Sequence, residues 1–137
     1  MEEINRQLLI KDICSRLPYG VYVKFKQYNE PLRLSVKDCL AIINGGEQID
    51  DIQHLYLRPM SSMTEEEKNE LKIVTCPNGT GYFNEQYLVC PVNHFGEQIS
   101  FDFMADIIDW LNAHHFDYRG LIEKGLALEV PANMYYV

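Results

Sequence analysis

Apolar residues recur at helical spacing in two stretches of the chain. Between Glu3 and Leu17 they fall three or four positions apart, at Ile4, Leu8, Leu9, Ile13 and Leu17. After Ser100, a suitable N-cap, a second stretch carries a broad apolar face made of Phe103, Met104, Ile107, Ile108 and Leu111. This spacing is typical of amphipathic helices packed on a core. We therefore predict two long helices, the first stopped by Pro18 and the second ending near 114–115.

Strict alternation of apolar and polar residues predicts a β-hairpin near the start of the chain. The alternation covers 21–26, breaks at Asn29-Glu30-Pro31 and resumes over 32–37. Because side chains alternate between the two faces of a strand, parity places one set inward: Val21, Val23, Phe25, Leu32, Leu34 and Val36. With Ile49 and Ile52 returning to the sheet, we expect a meander of about three strands.

Three shorter elements complete the predicted fold. Thr64 and Glu67 have the spacing of a capping box, which predicts a short helix through about Ile73. Residues 87–92 form a predicted strand, and 121–130 a final turn and strand. The predicted class is α+β, a mainly antiparallel sheet with the two longer amphipathic helices packed on one face.

Length and composition indicate the number of domains and the cellular compartment. The chain has 137 residues, of which 47% are hydrophobic, so a single globular domain over 1–137 is expected without a metal or disulfide. The four cysteines contain no Cys-x-x-Cys pair, as expected for free thiols in a reducing compartment. No stretch has the pattern of a secretory signal or a membrane span, so we expect a cytoplasmic protein with no membrane contact.

The alternation along the predicted strands places several cations on one face of the sheet in an otherwise acidic protein. The formal net charge is -8, which restricts any contact with nucleic acid to a local patch. Lys24, Lys26, Arg33 and Lys37 are predicted to point outward together, with Tyr22 beside them and Tyr28 in the turn. Such a surface could bind phosphates and stack bases. The alternative, which we favour, is a solvated face whose lysines discourage edge-to-edge strand pairing.

Other polar groups give weaker hypotheses. Cys90 and His94, with His114, His115 and Cys76, suggest a metal or thiol site, but the paired short spacings of zinc sites are missing. We therefore predict no metal, no cofactor and no catalytic residue. Asp117, Tyr118 and Arg119 form a polar cluster after the second long helix. It is either a local ion pair that orients the turn or an interaction surface.

Three stretches resemble known sequences: Arg16-Leu17-Pro18-Tyr19-Gly20-Val21, the segment Tyr56-Leu57-Arg58-Pro59-Met60-Ser61-Ser62-Met63-Thr64-Glu65-Glu66, and 109–122 with Asp109-Trp110-Leu111-Asn112 and His115-Phe116-Asp117-Tyr118-Arg119-Gly120-Leu121-Ile122. Together they resemble uncharacterised small proteins encoded by phages, prophages and mobile elements of gut bacteroidetes. The resemblance implies an accessory protein that acts inside a bacterium, and it carries no activity or catalytic residue with it.

Three functions are compatible with the sequence. The leading hypothesis is a non-catalytic binding protein that engages a host protein. The second is a module that binds nucleic acid or a nucleotide through the cations listed above. The third is a small thiol- or metal-dependent enzyme around Cys90 and the histidines.

Overall fold

The computed structural model describes residues 2–45, 48–75, 82–84, 87–89, 101–131 and 134–135. The chain forms two compact units, one comprising Met1–Pro59 with His115–Val137 and the other comprising Met60–His114. The second unit is therefore an insertion in the sequence of the first. A domain can contain more than one compact cluster, so the single domain over 1–137 stays a prediction.

Helices and short strands are mixed along the chain. The helices are α1 (Glu3–Arg16), α2 (Val36–Gly45), α3 (Glu65–Thr75) and α4 (Phe101–Ala113), with 3₁₀ turns at Gln48–Asp51 and Met60–Ser62. The strands are β1 (Tyr22–Phe25), β2 (Leu32–Arg33), β3 (Ile52–Leu57), β4 (Tyr82–Asn84), β5 (Tyr87–Val89) and β6 (Ala127–Glu129).

The sheet of the first unit has the strand order β2-β1-β3-β6. β1 pairs antiparallel with both β2 and β3, whereas β6 pairs parallel with β3. The predicted α+β class, the largely antiparallel sheet and the first hairpin are confirmed. The strands do not form the predicted meander, because β3 pairs with β1 instead of with β2. A parallel pair needs a long crossover, and the crossover here contains the whole second unit.

The core of the first unit joins the sheet to α1. Leu9 and Ile13 of α1 are buried with Val21, Val23 and Leu55 of the sheet region. Ile49 is also buried, although it lies in a 3₁₀ turn and not in a strand. The other long helix, α4, belongs to the second unit, where it packs with α3.

The buried face of α1 contains the predicted Leu9 and Ile13, but it also contains two charged residues and leaves out Ile4. Ile4 is 78% exposed, while Asp12 and Arg16 are fully buried. Asp12 is not among the apolar residues that predicted the packed face, because hydrophobicity alone does not reveal charged partners elsewhere in the chain. Their mutual ion pair, described below, explains why both can leave water.

Helix α2 replaces the second half of the predicted second strand. Val36 and Lys37, expected on that strand, lie in the first turn of α2, and Val36 is exposed. The Ser35 amide donates to Asp38 Oδ2 at 3.1 Å, and the Asp38 amide donates to Ser35 Oγ at 3.2 Å. This capping box satisfies backbone donors that a helix N-terminus leaves unpaired, and so it ends β2 at Arg33.

Tyr135 holds the start of β1 against β3. Its hydroxyl accepts a hydrogen bond from the Tyr22 amide at 2.8 Å and donates one to the Tyr56 carbonyl at 2.8 Å. The ring stacks on His115 with centroids 3.6 Å apart and meets the Tyr22 ring edge-on. Burial raises the pKa of Tyr135 to about 12. The Tyr135 hydroxyl thus bridges the Tyr22 amide and the Tyr56 carbonyl, in place of a direct hydrogen bond between these paired residues.

The second unit contains the predicted capped helix. The Thr64 amide donates to Glu67 Oε1 and the Glu67 amide donates to Thr64 Oγ1, both at 3.1 Å, so the capping box is confirmed. α3 and α4 are joined by a hydrogen bond of 3.1 Å from Trp110 Nε1 to Glu70 Oε1. The predicted strand over 87–92 is present as Tyr87–Val89, paired with β4, and 90–92 lie outside the described residues. Within the described ranges, no helix is long and apolar enough to cross a membrane.

Candidate functional site

The pairing of β1 with β2 decides whether the predicted basic face exists. Tyr22 lies opposite Arg33, and Lys24 lies two residues further along β1. Directly paired residues share a face, as do residues two apart. Tyr22, Lys24 and Arg33 therefore lie on the same side of the sheet, as strand parity predicted.

Two of the predicted cations lie elsewhere. Lys37 belongs to α2, so its grouping on the strand face is wrong, because the capping box at Ser35 has already started the helix. Lys26 follows the end of β1, beyond a register shift between Lys24 and Phe25, and its amide donates to the Asp51 carbonyl at 2.8 Å. The strand parity used for the prediction does not extend across that shift.

The two cations that do share the face donate to carbonyls of their own chain. Lys24 Nζ donates to the carbonyl of Tyr28 at 2.7 Å, which closes the hairpin turn. Arg33 Nη2 donates to the carbonyl of Tyr19 at 2.9 Å, and its guanidinium lies 6.0 Å from the centre of the Tyr22 ring. These bonds reduce the number of donors left for a phosphate group, and they give both cations a structural role.

His54 adds no positive charge to this face near neutral pH. It lies opposite Lys24 on β3, and its ring meets Tyr56 edge-on at 5.0 Å. Loss of solvation on burial lowers the pKa of His54, and the positive charge of Lys24 lowers it further. Nε2 is buried with no hydrogen-bond partner among the described residues. The imidazole is therefore neutral at pH 7.

A cleft opens beside the hairpin in the first unit, and we call it the hairpin cleft. Its volume is about 420 Å³. Its apolar lining comes from Phe25, Tyr28, Leu32 and Leu34, and its polar lining from Gln27, Arg33, Asp38 and Asp51. The strands β1 and β2, the first turn of α2 and the 3₁₀ turn before β3 therefore all contribute to one concave surface.

The lining of the hairpin cleft combines exposed apolar groups with carboxylates. Tyr28 is 52% exposed and Leu32 is 43% exposed, so both offer apolar surface to a partner. No donor in the described part of the chain contacts the Asp51 carboxylate. Asp38 uses Oδ2 to accept from Ser35, which leaves Oδ1 available. A ligand that supplies both an apolar group and a positive charge would match this surface.

Sequence reasoning identified only part of this cleft. Tyr28 and Arg33 were predicted as ligand-binding residues, whereas Leu32, Asp38 and Asp51 were not. The spacing of Ser35 and Asp38 was a usable signal, since a capping box there predicts a helix that folds back beside the hairpin. Asp51 carries no such signal, because its position depends on pairing between β1 and β3.

Asp12, Arg16 and Arg119 form an ionic network in which the two residues of α1 are fully buried and Arg119 is partly exposed. Arg16 Nε donates to Asp12 Oδ2 at 2.8 Å, and Arg16 Nη2 donates to the Phe116 carbonyl at 2.7 Å. Arg119 Nε donates to Asp12 Oδ1 at 3.2 Å, and its Nη2 donates to Ser15 Oγ at 2.8 Å. These bonds tie α1 to the segment that follows α4 in sequence.

The predicted interaction surface at Asp117, Tyr118 and Arg119 belongs to this structural region. Asp117 is buried, and its carboxylate accepts from the amides of Leu121 at 2.8 Å and Ile122 at 2.9 Å. The Arg119 guanidinium lies 4.9 Å from the centre of the Tyr118 ring. Backbone bonds to Asp117 order the turn, whereas the ion pair of Arg119 is made with the distant Asp12 and not within the turn. The interaction surface stays a prediction.

The residues proposed for metal or thiol chemistry are only partly covered by the structure. Cys76, Cys90 and His94 lie outside the described residues. His114 Nδ1 lies 2.9 Å from the Trp110 carbonyl, so its imidazole interacts with the last turn of α4. His115 stacks on Tyr135. Across the described ranges, no group of three or more histidine, cysteine or acidic residues could hold a metal ion.

Comparison of the chain with protein-family models, with curated proteins and with solved structures gives no match. The hairpin cleft is a concave surface of the first unit that brings exposed apolar groups and carboxylates together.

Proposed function

We propose that this chain is a non-catalytic protein-binding module and that the hairpin cleft is its binding site. The observation that carries the proposal is the lining of the cleft, where the half-exposed Tyr28 and Leu32 stand beside the carboxylates of Asp38 and Asp51. A buried apolar anchor surrounded by polar groups is typical of protein recognition sites. The resemblance to phage and mobile-element proteins supports an accessory factor that engages a host protein in the bacterial cytoplasm.

Two exposed apolar residues of α2 add to the apolar surface of the first unit. Val36 and Leu40 are four residues apart on α2, and both are exposed. Residues at this spacing lie on one face of a helix. Both residues lie two positions from Asp38, so they present a further apolar surface on a different face of α2 from the one that lines the cleft.

Nucleic-acid binding has weaker support. Lys24 and Arg33 donate to carbonyls of the chain itself, and Asp38 and Asp51 place negative charge in the cleft that contains Arg33. Carboxylates repel a phosphate backbone, whereas they attract a basic protein. If single-stranded DNA or RNA bound instead, its affinity would fall steeply with salt and with charge reversal at Lys24.

The test compares two substitutions of the same kind at the two edges of the sheet. Leu32 on β2 and Leu128 on β6 are 43% and 49% exposed. Bacterial lysate is passed over immobilised wild type, Leu32→Glu and Leu128→Glu at physiological salt, and retained proteins are identified by mass spectrometry. We expect a specific protein on wild type and Leu128→Glu that is lost on Leu32→Glu. Equal retention by all three variants, or none by the wild type, would reject the proposal.

A further inference from the structure

The outer edge of β2 carries unpaired backbone groups. The Leu34 amide donates to the Val21 carbonyl at 3.0 Å, so Val21 and Leu34 face each other across the hairpin. In an antiparallel pair the backbone groups of the next residue point the other way. The amide and carbonyl of Arg33 therefore point away from β1, and no strand in the described part of the chain pairs with that side of β2.

Residues next to Arg33 limit how another strand could pair there. The next positions with the same backbone direction are Pro31 and Ser35. Pro31 has no amide hydrogen, and the Ser35 amide already donates to Asp38. Within residues 31–35, the outward amide donor is thus Arg33. An added strand would be fixed in register by this one residue, and extended edge-to-edge association is disfavoured.

An added strand would also direct side chains into the hairpin cleft. Residues on either side of the one that pairs with Arg33 would share the face of Leu32 and Leu34, because side chains alternate along a strand. That face lines the cleft together with Asp38 and Asp51. The protein as a whole carries a net charge of -8, so a basic partner would also be attracted over longer range.

From this geometry we infer that the hairpin cleft binds an extended, basic peptide segment of the partner. The segment pairs with the Arg33 amide and carbonyl and places a lysine or arginine side chain beside Asp38 and Asp51. Backbone pairing then gives the segment its register, and the carboxylates select its charge. The inference rests on the proposed function and adds the chemistry of the partner to it.

A random octapeptide library, immobilised and probed with the labelled full-length protein at physiological salt, tests this inference. We expect the bound peptides to be enriched in lysine or arginine at one position, with apolar residues nearby. For a selected peptide, Asp51→Asn should weaken binding roughly fivefold, about the effect of one partly exposed ion pair. Asp109→Asn, an equal change of charge on the exposed surface of α4, should leave binding unchanged.

Hydrogen exchange of the Arg33 amide provides a readout of strand pairing. Saturation with the selected peptide should slow its exchange at least tenfold, since a paired amide exchanges only when the pair opens. Absence of any binding peptide, enrichment without basic residues, or binding that leaves the Arg33 amide unprotected would each overturn the inference. If the lysate protein is lost on Leu32→Glu but fully retained on Asp51→Asn, the basic partner is rejected while the proposed function stands.

Discussion

Arg16 has no exposed surface, and its charge is balanced by contacts from two parts of the chain. Asp12 faces it one helical turn earlier, and the Phe116 carbonyl receives a second bond from its guanidinium. Removing one partner of a buried ion pair leaves an uncompensated charge. The resulting loss of stability is larger than the net stabilisation that the intact pair provides. The network at α1 is therefore expected to be sensitive to single substitutions.

Replacing Arg16 by methionine should strongly destabilise the protein. We expect Arg16→Met to lower the free energy of unfolding by about 3 kcal/mol, because Asp12 would stay buried with only Arg119 as its ionic partner. Urea denaturation measures the change. Lys11→Met on the exposed side of the same helix is the matched control and should change stability by less than about 0.5 kcal/mol. A similar small effect for both variants would show that the buried pair is not important for stability.

Substitutions at Gly20 and Gly125 allow the cost of backbone strain to be distinguished from the cost of a steric clash. Both have positive φ, +79° and +75°, but a Cβ at Gly20 would lie 2.5 Å from Arg33 Nε, whereas a Cβ at Gly125 would meet nothing within 4 Å. We expect Gly125→Ala to cost ~1 kcal/mol through backbone strain alone. Gly20→Ala should cost up to about 1 kcal/mol more, the net value of one hydrogen bond, because the flexible Arg33 side chain must shift and lose its bond to Tyr19. Thermal denaturation compares the two, and equal losses would contradict the close approach.

At the scale of elements, Tyr135 joins β1 and β3 through one hydroxyl. Tyr135→Phe should lower the free energy of unfolding by about 1–3 kcal/mol, since it leaves the Tyr22 amide and the Tyr56 carbonyl without this partner. Tyr28→Phe, on the exposed turn, is the control and should have little effect.

The same hydroxyl predicts a loss of stability at high pH. Burial raises the pKa of Tyr135 to about 12 from an ordinary value of 10.0. The folded state therefore holds the proton more tightly than the unfolded state, and this contribution is complete below pH 10. As the pH rises from 10 toward 12 it should be lost, by about 2–3 kcal/mol. Urea denaturation of wild type and Tyr135→Phe at pH 8, 10 and 11 checks this, and parallel pH curves would contradict it.

The sequence predicted elements that depend on local patterns and missed those that depend on distant contacts. α1, the β1 hairpin and the cap at Thr64 follow from periodicity, alternation and a short-range hydrogen-bond motif. α2 was missed because alternation continues through Val36, although Ser35 carried a capping signal. The burial of Asp12 needed Arg119, which lies 107 residues away, and no local pattern reports such a contact.

The candidate site was only partly predictable for the same reason. Parity correctly put Lys24 and Arg33 on one side of the sheet, but it could not show that each donates to a carbonyl of its own chain. The hairpin cleft depends on where α2 and the turn before β3 meet the hairpin. Strand alternation therefore could not predict that carboxylates line this cleft.

At the scale of the whole molecule, the second unit begins and ends at neighbouring points of the first. The Arg58 amide donates to the His115 carbonyl at 2.8 Å, and the Asp117 amide donates to the Arg58 carbonyl at 2.8 Å. The residues that border the insertion thus form an isolated parallel bridge, between Arg58 and Phe116. Among the residues whose burial the structure describes, the cluster around the sheet is built from residues of the first unit.

This arrangement predicts that the first unit folds without the insertion. Replacing 60–114 by a short glycine- and serine-rich linker should preserve the sheet, because a short connection can join two adjacent chain ends at small entropic cost. We expect a cooperative thermal transition and retention of the same lysate protein by the shortened chain. Loss of the cooperative transition would show that the first unit depends on 60–114 for stability.

The parallel pairing of β6 with β3 has a consequence for synthesis on the ribosome. β3 ends at Leu57, and its parallel partner reaches Glu129. During translation, the hydrogen-bonding groups on that side of β3 have no β6 to pair with until residue 129 has left the exit tunnel. The four-stranded sheet is therefore expected to close only after translation of this segment, and nascent chains stalled earlier should be open to proteases and chaperones along β3.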